Sequence, residues 1–174
     1  MIQEDNQQRR IEDRLNWLGG IIDGEGWISV RKTNYSSRHI TYGPVIGVVN
    51  TDEKIVNEVC NIYKELEIPF YVEKSLYKGT HSFNSKKTQY RIMLIGMKRC
   101  QKAIPHLLKG VFAKRHKLLA MQEWIECRLS NRSNYGRQAR SYDKEDLRLI
   151  NLIRESPISL RDFTLAESEP KLIQ

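Results

Sequence analysis

A chain of 174 residues and 20.5 kDa is long enough for one ordinary domain with a real core, or for a domain plus a tail, and is cramped for two full domains. Its 29 Lys and Arg against 21 Asp and Glu give a formal charge of +8 and an isoelectric point near 9.4, which favours a polyanion, nucleic acid first, over a metabolic small molecule as partner. Cys60, Cys100 and Cys127 are widely spaced without a CxxC pair, so neither a disulfide framework nor a zinc knuckle is indicated. The polar start "MIQEDNQQRRIEDR" is unlike a secretory peptide, and no apolar run approaches the length of a bilayer span. The expectation is a soluble protein of a reducing intracellular compartment, such as the cytoplasm or nucleoid of a prokaryote, or an organelle.

From Ile11 the apolar residues Leu15, Leu18 and Ile22 recur at helical spacing, which predicts a helix to about Asp23, with Gly24 as its stop. "WISVRKTNY" and "HITYGPVIGVVN" alternate around a polar tip of Ser36, Ser37 and Arg38 and read as a hairpin. Asn50 and Thr51 are candidate caps of a second helix, in which Ile55, Val59, Ile62 and Leu66 share a face before Pro69. A second hairpin joins "FYVEKSLYKG" to "TQYRIMLIGM" through the polar "THSFNSKK". Two further helices follow, a short one near Lys98 to Leu108 and a longer one from Lys114 to Leu129. The order predicts an α+β fold, one four-stranded antiparallel sheet backed by helices. "SNRSNYGRQARSYDK" reads equally as a loop laid along phosphates or as a connector, residues 143–155 as an amphipathic helix, and the end from Pro157 as an appendage. The expected division is therefore a core over 1–130, a basic loop over 131–142 and a helical extension over 143–174.

The passage that carries chemistry is "LNWLGGIIDGEGWISV", residues 15–30. Asn16, Gly20 and Gly24 stand at i, i+4 and i+8, a stripe narrow enough for another helix to approach almost backbone to backbone. Each glycine there costs a helix about 1 kcal/mol relative to alanine. Two acids, Asp23 and Glu25, close the run.

Leu18, Gly19, Gly20, Ile21, Ile22, Asp23, Gly24, Glu25 and Gly26 resemble, in order, the nonapeptide of the LAGLIDADG homing endonucleases, with glycine in the second place and glutamate for the usual second aspartate. The resemblance implies an αββαββα core followed by C-terminal helices. It implies that Glu25 supplies a carboxylate and Gly24 a carbonyl to Mg²⁺, with Mn²⁺ or Ca²⁺ able to substitute for binding, while Asp23 ties down the helix end. The chemistry implied is metal-assisted phosphodiester hydrolysis. Lys114 matches a family lysine at the start of the last long core helix, with Arg115, His116 and Lys117 as rivals. Asp52 matches a polar residue that holds a metal-bound water, or serves only the helix dipole.

The same resemblance makes the sheet a saddle along the major groove of DNA. Period-two alternation then turns Ile28 and Val30 toward the helices and Ser29, Arg31, Thr33 and Tyr35 toward DNA. Similar counting selects His39 and Thr41 on the second strand, Ser75 and Tyr77 on the third, and Gln89 and Arg91 on the fourth. Arginine and glutamine can read guanine and adenine edges bidentately.

Cutting both strands takes two acid sites, and the chain has one nonapeptide, so a symmetric homodimer on a pseudopalindromic target is expected. The resemblance further implies a staggered break that leaves 3′ overhangs. Asn16, Gly20 and Gly24 would form its seam. Homing is the implied biology, intron homing or its intein counterpart. Two alternatives stay open: an RNA maturase of the same fold acting on intron RNA, or a DNA-binding protein that does not cleave. A small ribosome-associated or chromatin protein, basic and monomeric, is the reading from a different class.

Overall fold

A computed structural model describes residues 2–36, 39–76, 88–130 and 141–155. Tyr77, the tip of the second hairpin, residues 131–140 of the basic loop expected over 131–142, and the end from Pro157 lie outside these. Helix α1 spans Ile2–Glu25, followed by strands β1 (Gly26–Ser36) and β2 (His39–Asn50), helix α2 (Glu53–Glu65), and strands β3 (Tyr71–Leu76) and β4 (Thr88–Ile95). Helices α3 (Met97–Leu107), α4 (Arg115–Ser130) and α5 (Lys144–Arg154) complete the order. The element order and the α+β class are as expected. Helix α1 begins nine residues earlier than Ile11, because the polar stretch before it continues the helix without apolar periodicity to announce it.

All pairings are antiparallel, in the order β1-β2-β4-β3, so the second strand of each hairpin lies at the centre and the first at an edge. Ile28 pairs with Ile46, and Val48 with Ile92, and these residues are buried. The helices cover that face with Leu15, Leu18 and Ile22 of α1, Val59 and Ile62 of α2, Ile104 of α3 and Trp124 of α4, all within one core cluster. Among the described residues no helix covers the other face. Among the described residues no helix is long and apolar enough to cross a membrane.

The cap of α2 differs from the expectation. Asp52, not Asn50 or Thr51, is the N-cap: its Oδ1 accepts from the Lys54 amide at 2.8 Å. Asn50 instead accepts from the Asp52 amide at 2.8 Å, a local turn that ends β2 and presents Asp52 to the helix. Helix α5 opens on a reciprocal box between Asp143 and Asp146. The buried Asp146 carboxylate also accepts from Trp124 Nε1 at 3.1 Å and pairs with Arg128 at 3.2 Å, which seats α5 on α4.

Gly19 and Gly110 fasten the turn between α3 and α4 onto α1. A β-carbon at Gly19 would stand 2.0 Å from the Gly110 carbonyl, and one at Gly110 would stand 2.1 Å from the Leu15 carbonyl oxygen. Both neighbours are backbone and cannot swing aside. Gly19→Ala is therefore expected to destabilise the fold by about 2–3 kcal/mol, read as a lower urea midpoint with an unchanged slope.

Candidate active site and nucleic-acid interface

The end of α1 and the start of α4 meet through a crossed pair of contacts. The Asp23 carboxylate accepts from the backbone amides of Phe112 at 2.7 Å, Ala113 at 3.0 Å and Lys114 at 3.0 Å. In return the Lys114 ammonium donates to the carbonyl oxygens of Ile22 at 2.8 Å, Asp23 at 2.8 Å and Gly26 at 2.7 Å. A helix leaves its last carbonyls without intrahelical partners and carries a partial negative charge there, so an ammonium is a fitting cap. Partial burial lowers the Lys114 pKa, helped by nearby Lys117, while Asp23 and Glu25 pull it the other way. Asp23 thus ties down the loop before α4, and Lys114, one residue short of that helix, ties down the end of α1.

Lys114 takes the carbonyls on either side of Gly24 and not that of Gly24 itself. Glu25 is exposed and makes no hydrogen bond or ion pair among the described residues. An open carbonyl beside an unpaired carboxylate is a hard-oxygen donor pair of the kind that Mg²⁺ accepts. Among the described residues no cluster of three or more His, Cys, Asp or Glu side chains could hold a metal within one chain. Arg115 and His116 are exposed at the start of α4, and Lys117 is buried with its ammonium on the Glu155 carbonyl.

Asn16, Gly20 and Gly24 lie exposed along α1, and a β-carbon at Gly20 or Gly24 would meet no atom within 4 Å. Gly19 is consumed inside the fold, whereas Gly20 and Gly24 are not. Trp17 on the same face is 38% exposed, and Phe112, held by its amide on Asp23, is 87% exposed.

The register sorts the sheet faces. Directly paired residues share a face, and Arg31 pairs with Gly43, Thr33 with Thr41, Ser75 with Gln89, and Arg91 with both Val49 and Glu73. Ser29 pairs with Val45 on the same side. Ser29, Arg31, Thr33, Thr41, Ser75, Gln89 and Arg91 therefore line the face turned away from the helices. Tyr35 and His39 fall in the strands with side chains outside those described.

Two residues of this face were not anticipated. Glu73 stands 4.0 Å from Arg91. Trp27 lies across Gly47, whose β-carbon would fall 2.3 Å from the indole. Both follow from the alternation that selects Ser29 and Ser75. Asn50, two residues beyond buried Val48, lies on the opposite, helix-covered side, and the pairing of Gly26 with Val48 brings it to the end of the sheet where α1 stops. Gly110 and the Asp23 contacts had no local signal, since their partners lie about ninety residues away in the chain.

No protein-family model matches the chain, and no curated protein does. Among solved structures it is similar to the homing endonuclease I-CvuI in complex with its target in the presence of calcium, at 16% identity and a TM-score of 0.59, over 94% of this chain and 88% of that one. It is similar to the archaeal intron-encoded homing endonuclease I-Vdi141I complexed with DNA, at 16% identity and a TM-score of 0.51, over 82% of this chain and 95% of that one. Against the I-LtrWI LAGLIDADG homing endonuclease bound to target DNA, 94% of this chain spans 53% of that one, at 12% identity and a TM-score of 0.56. Helix order, sheet topology and these likenesses agree that the chain has the fold of the LAGLIDADG homing endonucleases.

Proposed function

We propose that the protein is a site-specific DNA endonuclease that acts as a symmetric dimer of this chain on a long pseudopalindromic target, making a staggered double-strand break with 3′ overhangs. The observation that carries the reading is the end of α1: an exposed, unpaired Glu25 beside an uncapped Gly24 carbonyl, on a helix whose Gly20 and Gly24 are open. Structural likeness to DNA-bound endonucleases supports it.

In this reading a second copy of α1 covers Gly20 and Gly24, with Asn16 in the seam and Trp17 and Phe112 at its margins. Each copy then brings one Glu25 to the floor beneath a duplex. Glu25 and the Gly24 carbonyl hold a divalent cation, Mg²⁺ in the cell and Mn²⁺ or Ca²⁺ in its place for binding, which when bound activates water and offsets charge on the scissile phosphate. Asp52, at the head of α2 and the same end of the sheet, orients the attacking water while capping its helix. The Lys114 ammonium caps the carbonyl end of α1 beside this pair of donors and leaves the Gly24 carbonyl to the cation. Ser29, Arg31, Thr33, Thr41, Ser75, Gln89 and Arg91 face the major groove, with Arg31, Gln89 and Arg91 able to read base edges.

Purified protein is expected to linearise, in magnesium, a plasmid carrying the uninterrupted form of the host gene in which its reading frame sits, leaving 3′ overhangs. Binding without cutting would favour a non-cleaving DNA-binding protein, and rescue of intron splicing would favour a maturase on intron RNA. With a formal +8 per chain, DNA affinity is expected to fall by about a thousandfold between 50 and 200 mM salt if some six phosphates are contacted. A flat salt dependence in a filter-binding titration would contradict contact through the phosphates.

A further inference from the structure

The geometry points to Lys114 as a positioning residue: with Asp23 it forms a crossed clamp that holds the junction of α1 and β1 where the Gly24 carbonyl and Glu25 carboxylate converge, instead of acting on water or phosphate itself. This rests on the reading that those two groups hold a cation. An ammonium has three N–H donors, and those of Lys114 are matched one to one by the carbonyls of Ile22, Asp23 and Gly26. A lysine that reached for a water or a phosphate would have to surrender one of them. The three acceptors straddle Gly24 and Glu25, so their convergence on one nitrogen sets the path of the chain through both.

The other half of the clamp fixes the nitrogen. Asp23 gathers the amides of Phe112, Ala113 and Lys114, and Gly110 rests against α1 two residues earlier in the same turn. The loop that delivers Lys114 is thus anchored to the helix that Lys114 caps. Asp23 and Lys114 serve one junction from opposite sides, and weakening either should loosen the same pair of oxygen donors.

The test is titration of Mn²⁺ alone, followed by electron paramagnetic resonance, on wild type, Lys114→Met, Lys114→Arg, Asp23→Asn and Glu25→Gln, together with cleavage over a range of Mg²⁺. A guanidinium is planar and cannot satisfy three converging carbonyls as an ammonium does. Lys114→Met, Lys114→Arg and Asp23→Asn are each expected to raise the Mn²⁺ dissociation constant about tenfold, with cleavage lost at low Mg²⁺ and recovered at high Mg²⁺. Unchanged Mn²⁺ affinity in these variants, with Lys114→Met inactive at every Mg²⁺ concentration, would overturn the proposal and make Lys114 a group acting on the reaction directly. If Lys114→Met does not fold, Lys114→Arg and Asp23→Asn decide the matter by the same readout. Glu25→Gln that leaves Mn²⁺ binding intact would instead overturn the metal-site reading, and the proposal with it, whatever the other variants do.

Discussion

Glu25→Gln is expected to abolish DNA cleavage while leaving the protein folded and able to bind DNA. The substitution exchanges an anionic oxygen donor for a neutral amide of nearly the same shape, so it removes the ligand that makes Gly24 and Glu25 attractive to a hard cation. Loss of roughly a thousandfold or more in cleavage rate is expected, the scale on which removing a charge-stabilising element from a transition state is felt. Stability has no reason to change. Glu25 is exposed and bonds to nothing among the described residues, and surface substitutions of that kind stay within about 0.5 kcal/mol. Cleavage and gel-shift assays run beside a urea titration separate these effects; retained cleavage would remove Glu25 from the site.

Gly20→Leu is expected to act in opposite directions on the single chain and on the proposed dimer. Within one chain the new side chain enters open space, and leucine gains about 0.8 kcal/mol of helix propensity over glycine, so the monomer is expected to be slightly more stable. In the proposed dimer the same side chain would stand where two backbones meet. Dimer affinity is expected to fall by about a hundredfold or more, equivalent to roughly 3 kcal/mol, and double-strand cleavage with it. Analytical ultracentrifugation across the micromolar range reads the shift. A Gly20→Leu protein that stays dimeric would place the seam elsewhere, whereas Gly19→Ala acts through folding, so neighbouring glycines separate the two kinds of close contact.

That contrast shows how far the sequence could be read. Periodicity places Leu15, Leu18 and Ile22 inside and Asn16, Gly20 and Gly24 outside, and the structure agrees. Alternation in the strands puts Ser29 and Arg31 opposite Ile28 and Val30, because a half-covered sheet demands it. Local order is written in local chemistry. What could not be read is the use of Gly19, whose close neighbour Gly110 belongs to a distant turn, and the exchange between Asp23 and Lys114. Acids at a helix end look alike whether they bind a cation, cap a helix or face water, and only their partners distinguish them. Asp52 makes the same point: taken as a holder of water, it also caps α2, a role first assigned to Asn50 and Thr51. The match to the nonapeptide singles out Glu25, and the structure adds the reason its neighbours are not interchangeable with it, since Asp23 is fully engaged with backbone amides.

The most direct measurement is a crystal structure of the protein with its target DNA and Ca²⁺. Two chains related by a two-fold axis are expected, their first helices in contact along Gly20 and Gly24, and both Glu25 carboxylates on calcium beneath the scissile phosphates. A single chain on the duplex, or a pair joined through another surface with the Glu25 side chains far apart, would contradict it.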